Sequence, residues 1–352
     1  MSTSPSDLDP TLERLIRRLP KVELHLHLEG SIQPERAVEL ARLRGVSLPG
    51  AEAGAAGLRR SYRFPSFRQF VQLYVSISAC LEEPEDFMVI TVDLARALAA
   101  QNVRHAEVTV TPLTHVRRGV PAEVIAAGLA EGRRRAREEH GVSIGWVFDI
   151  VRSCVDHGRP TLEFALAERE RGAVGLGLSG PEEPRWPYEP FVALFAEARA
   201  EGLRALPHAG ELRGPESVRQ AIELLGASRI GHGITCLQDQ ELVALLRDRP
   251  VPLEVCPSSN VGIGLFPSLA EHPLPKLLAA GVPLSLASDD PPMFDTDLVR
   301  EFLRCAAAFS WGPRQVIELA AAAVEHSALE EDAKARLVAE QAQVAAACLA
   351  GR

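Results

Sequence analysis

The sequence holds four histidines and three acidic residues in spacings that could carry metal and acid–base chemistry. His25 and His27 stand in KVELHLHLEGSI, His208 and Glu211 in LPHAGE, His232 in RIGHGI, and Asp289 and Asp290 in SLASDDPPMF. On a strand, residues i and i+2 point to the same side, so both imidazoles of HLH can face one metal. A third imidazole and a carboxylate complete a nitrogen and oxygen set suited to zinc. The expected ligands are His25, His27, His208 and Asp289, holding one zinc per chain. An open coordination position would take a water, whose pKa such an ion lowers toward neutrality. Each spacing alone is a weak signal, because a lone buried His is more often a satisfied core residue. The reading rests on their coincidence. The remaining histidines (105, 115, 140, 157, 272 and 326) lack such company, and His140, His157, His272 and His326 read as loop or helix-end residues.

Segments so far apart in sequence need a scaffold that gathers them. Eight short apolar runs recur: Val22–Leu28, Val103–Val110, Ser143–Val151, Ala173–Leu178, Leu203–Pro207, Arg229–Ile234, Pro252–Val255 and Pro283–Ala287. They are too short for helices, and amphipathic helical patterns separate them. That alternation predicts a parallel sheet, and eight repeats predict a (β/α)8 TIM barrel with extra helices. Barrel active sites lie at the carboxyl ends of the strands, where six of the candidate groups fall. A doubly wound open sheet is the alternative, but the first strand ends in HLHLEGS where a glycine-rich phosphate loop would stand. Residues 33–102 form an insertion of more than one helix, residues 297–352 read as all-helical, and residues 1–9 as a frayed start to a single domain.

Composition narrows the function. Of 352 residues, 38 are Lys or Arg and 47 Asp or Glu, a net charge of −9 that disfavours nucleic-acid binding. The basic stretch Arg133, Arg134, Arg135 and Arg137 reads as a solvated helix face. Six scattered cysteines form no C-x-x-C pair, which points to a reducing cytoplasm. The first residues show no signal pattern, and no apolar run reaches the roughly 18 residues of a membrane span. The expected partner is a small molecule, with the oligomeric state open.

With their flanks, these residues resemble the adenosine deaminase family of the amidohydrolase superfamily. The matching stretches are KVELHLHLEGSI, LSGPE, LPHAGE, RIGHGI, LEVCPSSN and SLASDDPPMF, in family order over residues 21–294. The resemblance implies zinc-dependent hydrolysis of the 6-amino group of an adenine ring. Glu211 would then protonate ring nitrogen N1, which needs a carboxyl held protonated by an apolar setting. His232 would act on the attacking water as base or electrostatic orienter. Asp289 would be both ligand and proton acceptor, and Asp290 would hydrogen-bond N7 in its protonated form. The Gly180 N–H would meet N3, and Ser259 would shape the pocket or serve a turn. Amidohydrolases with two metals usually carry a bridging lysine on the fourth strand; AVGLGLSG has none, so one metal is expected. Zinc deaminases of the cytidine type use H-x-E with P-C-x-x-C, which is absent here.

Three departures bear on the substrate. Adenosine deaminases usually read H-x-H-L-D-G, with the Asp reaching the ribose 5′-hydroxyl; Glu29 stands there in this chain. One extra methylene shifts the carboxylate by about an ångström, the scale on which fit is lost. A substrate without a plain 5′-hydroxyl is therefore expected. Thr109 and Gly177 replace an Arg and an Asp of the family pattern, as if an ion pair had been deleted together. The favoured substrate is aminodeoxyfutalosine of menaquinone biosynthesis, whose 5′ end carries an aromatic acid chain. Adenosine and adenine are the alternatives. Phe64, Phe67 and Phe70 could wall an apolar 5′ extension, or simply pack an amphipathic helix. From other classes, an ester or amide hydrolase on the same barrel or a non-catalytic relic would not need Glu211 and Asp290 together.

Overall fold

A computed structural model describes residues 8–351 of the chain. The apolar runs form eight strands: β1 Lys21–His27, β2 Val103–Val110, β3 Ser143–Val151, β4 Ala173–Ser179, β5 Arg204–Ala209, β6 Ile230–His232, β7 Leu253–Val255 and β8 Leu284–Leu286. Neighbours pair in parallel and in sequence order from β1 to β8. Beyond β8 the chain returns to β1 through a parallel bridge between Leu26 and Asp289. There the His27 N–H donates to the Asp289 carbonyl at 3.1 Å, and the Asp289 N–H to the His25 carbonyl at 3.0 Å. The residue that closes the barrel is thus one of the expected ligands. All seven residues of β1 are buried, because barrel strands are covered by side chains within and helices without.

Most strand boundaries differ from the expected runs by one or two residues. β6 keeps three of the six residues of the Arg229–Ile234 run. His232 and Gly233 adopt φ of +64° and +67°, which turns the chain out of the extended conformation.

The insertion after β1 contributes helices Pro34–Arg44, Gly54–Arg60, Phe67–Ser78 and Pro84–Ala100. The last 50-odd residues form Leu298–Phe309, Pro313–His326 and Glu331–Leu349. Of the frayed start, residues 1–7 lie outside the described residues, while Asp9 caps the helix Pro10–Arg18 by accepting from the Thr11 N–H. No helix among the described residues is long and apolar enough to cross a membrane.

The two positions read as a deleted ion pair lie on alternate strands of the barrel. Thr109 on β2 pairs with Val147, and Gly177 on β4 with Asp149, so β3 runs between the two positions. Asp149 on β3 sets a carboxyl beside Gly177. A Cβ on Gly177 would stand 2.4 Å from Asp149 Oδ1, so a side chain at 177 would displace this carboxyl from its present position. Asp149 Oδ2 accepts from the Ser179 hydroxyl, while Oδ1 is buried without a partner. Burial, the largest influence, pushes this carboxyl up to about 7.

Candidate metal and acid–base centre

The carboxyl ends of β1, β5, β6 and β8 converge as the motif spacings require. His25, His27 and Asp289 each offer a ligand atom within 4.8 Å of the others, as do His25, His208 and His232. Asp289 Oδ1 lies 3.5 Å from His25 Nε2 and 3.4 Å from His27 Nε2. His27 Nε2 and His208 Nε2 are 3.2 Å apart. Rings can approach this closely because residue 231 is glycine: a Cβ there would stand 2.6 Å from His25 Cε1. His232 and Asp289 both have φ above +60°, a strained setting for non-glycine residues that is characteristic of functional sites.

These side chains fit a cation. His25 Nε2 is buried with no hydrogen-bond partner. Burial, reinforced by the neighbouring imidazoles, keeps His208 well below the usual histidine range, and burial likewise lowers His27, so both present neutral nitrogens. Burial also opposes charge on His25, but the nearby carboxylates of Asp289 and Glu254 outweigh that and push it up to about 10. A metal between His25 and Asp289 would meet that demand in place of a proton.

Sequence reasoning missed the groups that hold the ligands. Glu254, on β7, places Oε2 2.7 Å from His25 Nδ1. Its Oε1 is 2.5 Å from Arg229 Nε, and Arg229 Nη2 is 2.5 Å from Glu107 Oε2. Histidine ligands commonly spend their second nitrogen on a carboxylate in this way. The RIGHGI and LEVCPSSN stretches held Arg229 and Glu254 in view, but nothing local marks them as partners of His25. Ser259 donates to Asp289 Oδ2 at 2.6 Å and lines the cavity.

The acidic residues are buried as proton carriers must be. Glu211 is raised well above the usual carboxyl range, first by burial and then by the charges of Asp289 and Glu182. Its Oε1 is 3.7 Å from His232 Nε2. Asp290 is raised in the same way, by burial and by Asp289. Gly30 makes room for it, because a Cβ there would meet Asp290 Oδ1 at 1.6 Å. Glu182 was also overlooked. Its carboxylate accepts from the backbone N–H groups of Gly210 (2.7 Å), Glu211 (2.9 Å), Leu212 (2.7 Å) and Arg213 (3.1 Å), and from Ser217 Oγ (2.5 Å). One carboxylate therefore holds the whole turn that carries Glu211.

A cavity opens over this floor, lined by His27, His208, Glu211, His232, Asp289 and Asp290. Gly180 lies on one side with Ser179, and Phe67, Phe70, Val71, Tyr74 and Val75 of the helix Phe67–Ser78 form a wall. Phe64 stands behind that wall, 5.4 Å from Phe70 and 5.9 Å from Phe294 between ring centres. Glu29 is not among the lining residues. It is buried behind Tyr74, with Oε1 2.9 Å from His115 Nε2 and 3.2 Å from the Thr111 N–H. The Tyr74 hydroxyl donates to Oε2 at 3.2 Å. His115, read from sequence as lacking company, is thus the principal partner of Glu29.

The family's sequence model, described as Adenosine deaminase, matches residues 20–344. The chain belongs to the adenosine deaminase family. Among its relatives, the aminodeoxyfutalosine deaminase of Streptomyces avermitilis is 39% identical over 96% of this chain and 95% of its own. The adenine deaminase of Geotalea uraniireducens is 37% identical over 92% and 90%. Among solved structures, an adenine deaminase from Arthrobacter aurescens superposes with a TM-score of 0.87 at 34% identity, covering 92% of this chain and 98% of that one. An amidohydrolase from Burkholderia ambifaria with bound Zn superposes with a TM-score of 0.89 at 25% identity, covering 98% and 96%. This member of the adenosine deaminase family is a hydrolytic deaminase acting on C–N bonds of a small purine substrate.

Proposed function

We propose that this enzyme hydrolyses the 6-amino group of an aminopurine nucleoside whose 5′ position carries an apolar substituent, with aminodeoxyfutalosine the favoured substrate. Water adds at C6, the ring is protonated at N1, and ammonia leaves to give the 6-oxopurine. Zinc is the proposed ion, with His25, His27, His208 and Asp289 to hold it; when bound, it supplies a water acidified enough to attack at neutral pH. Glu211, kept protonated by burial, donates to N1. Asp290, likewise raised, donates to N7. The Gly180 N–H faces N3 from a backbone with φ of +91°.

The substrate reading is carried by Glu29. Both its oxygens are engaged by His115, Thr111 and Tyr74, and the residue stands behind Tyr74, outside the cavity lining, where a 5′-hydroxyl in the cavity does not meet it. In its place Tyr74 joins Phe67, Phe70, Val71 and Val75 as an apolar wall. No Lys or Arg lines the cavity among the described residues, so this wall favours the aromatic part of a substituent over its acid. Adenine is the competing substrate, favoured by the adenine deaminases among the relatives.

The test is a panel of adenosine, 5′-deoxyadenosine, methylthioadenosine, aminodeoxyfutalosine and adenine on zinc-loaded protein. Ammonia release and the ultraviolet change to oxopurine report turnover. The highest kcat/KM is expected for aminodeoxyfutalosine, and a preference for adenosine or adenine would overturn the reading of Glu29.

A further inference from the structure

His232 faces the reaction centre through Nε2, with Glu211 Oε1 at 3.7 Å and Asp289 Oδ2 at 3.9 Å. A neutral imidazole carries its proton on one nitrogen, and the partner of the other nitrogen decides which. The His232 ring is buried at 1% exposure, so its two nitrogens are met by protein groups.

The partner of Nδ1 can be traced to a fixed backbone group. The Leu274 N–H, which can only donate, lies 3.1 Å from His272 Nδ1. His272 Nδ1 must accept, so its proton sits on Nε2. Burial keeps His272 neutral, at about 4. His272 Nε2 then donates to Asn260 Oδ1 at 3.1 Å. That orients the amide, and Asn260 Nδ2 donates to His232 Nδ1 at 3.3 Å. Each link admits one direction once the first is set. All three side chains are buried, with at most 3% exposure, so water does not compete for these atoms.

We infer that His272 and Asn260 are positioning residues that hold the proton of His232 on Nε2. His232 therefore meets the attacking water as a hydrogen-bond donor, an orienting and charge-stabilising group, and not as the base that removes its proton. The Asp289 carboxylate near Nε2 agrees with a proton there. This inference rests on the proposed role of His232 beside the attacking water; the hydrogen-bond chain itself does not.

The test is long-range 1H–15N correlation on zinc-loaded protein labelled at histidine, with His232 assigned by its loss in His232→Gln. Wild type is expected to show His232 protonated on Nε2. Asn260→Asp replaces the amide donor with a carboxylate, and it should move the His232 proton to Nδ1. His272→Leu frees the amide and should give a mixture of tautomers, with kcat about tenfold lower or more and KM within about threefold. His272→Gln, which can still donate to Asn260, should restore the Nε2 form. A wild-type proton on Nδ1, or an Asn260→Asp spectrum unchanged from wild type, would overturn the inference. Were the tautomers to follow prediction while His232→Gln kept full activity, the chain would stand and the proposed role of His232 would fall.

Discussion

Glu254 grips His25 from the side opposite Asp289: its Oε2 lies 2.7 Å from Nδ1 of that ring. The same carboxylate is held in turn by Arg229, whose other end reaches Glu107. A buried charged chain therefore crosses the barrel beneath the centre and fixes which nitrogen of His25 is presented.

Glu254→Gln should accordingly weaken zinc binding by about 10- to 100-fold, because the ring loses the carboxylate that orients it and raises its basicity. Competition against a chelator measures this. An unchanged affinity would show that Glu254 only packs. Arg229→Met should be worse for stability, at about 3–5 kcal/mol in denaturant unfolding, since it strands two buried carboxylates.

Glu182 should matter for turnover more than for metal. Five donors converge on it, four of them from consecutive backbone N–H groups around Glu211. Glu182→Gln turns an amide NH2 toward some of those donors and frees the turn. Zinc content should stay at one per chain while kcat falls by about tenfold or more, since bonds to a charged group are worth about 1.5–3 kcal/mol each. Equal activity in the variant would rule out a positioning role.

The pH profile follows from Glu211. Its folded pKa is raised, by burial first, and the protonated carboxyl is the proposed active form. Activity should therefore hold at low and neutral pH as far as this group is concerned, and be lost as pH rises through the raised value. Glu211→Gln should keep the metal and abolish turnover. A Gln variant with wild-type kcat would refute the assignment of this residue as the acid.

Stability should carry a separate signature from Asp149. Its carboxyl is raised from 3.8 to about 7, by burial ahead of all other influences. A raised folded pKa contributes stability that is complete below 3.8 and lost as pH climbs through about 7. Asp149→Asn removes that loss. The variant should show a smaller drop in urea midpoint between pH 5 and pH 8 than wild type. Identical drops would mean that Asp149 ionises freely in the fold.

The sequence by itself carried the barrel and its four converging segments. Strand length, the alternation with helices and the same-side parity of His25 and His27 are local properties, set by a backbone period of two residues. Glycines 30 and 231 were visible within their motifs, but their purpose required knowing what lies opposite: Asp290 for one, the His25 ring for the other. Tertiary structure decided everything that depends on a partner across the barrel. Glu29 looked like a substrate contact until His115, 86 residues away, and Tyr74 closed around it. Gly177 showed a missing side chain, and only β3 revealed the Asp149 carboxyl set against it. His272 is the loop or helix-end residue it looked like, but only the fold joins it through Asn260 to His232. A buried polar group must find a partner, but which partner it finds is chosen by barrel closure, and no pattern of near neighbours encodes that choice.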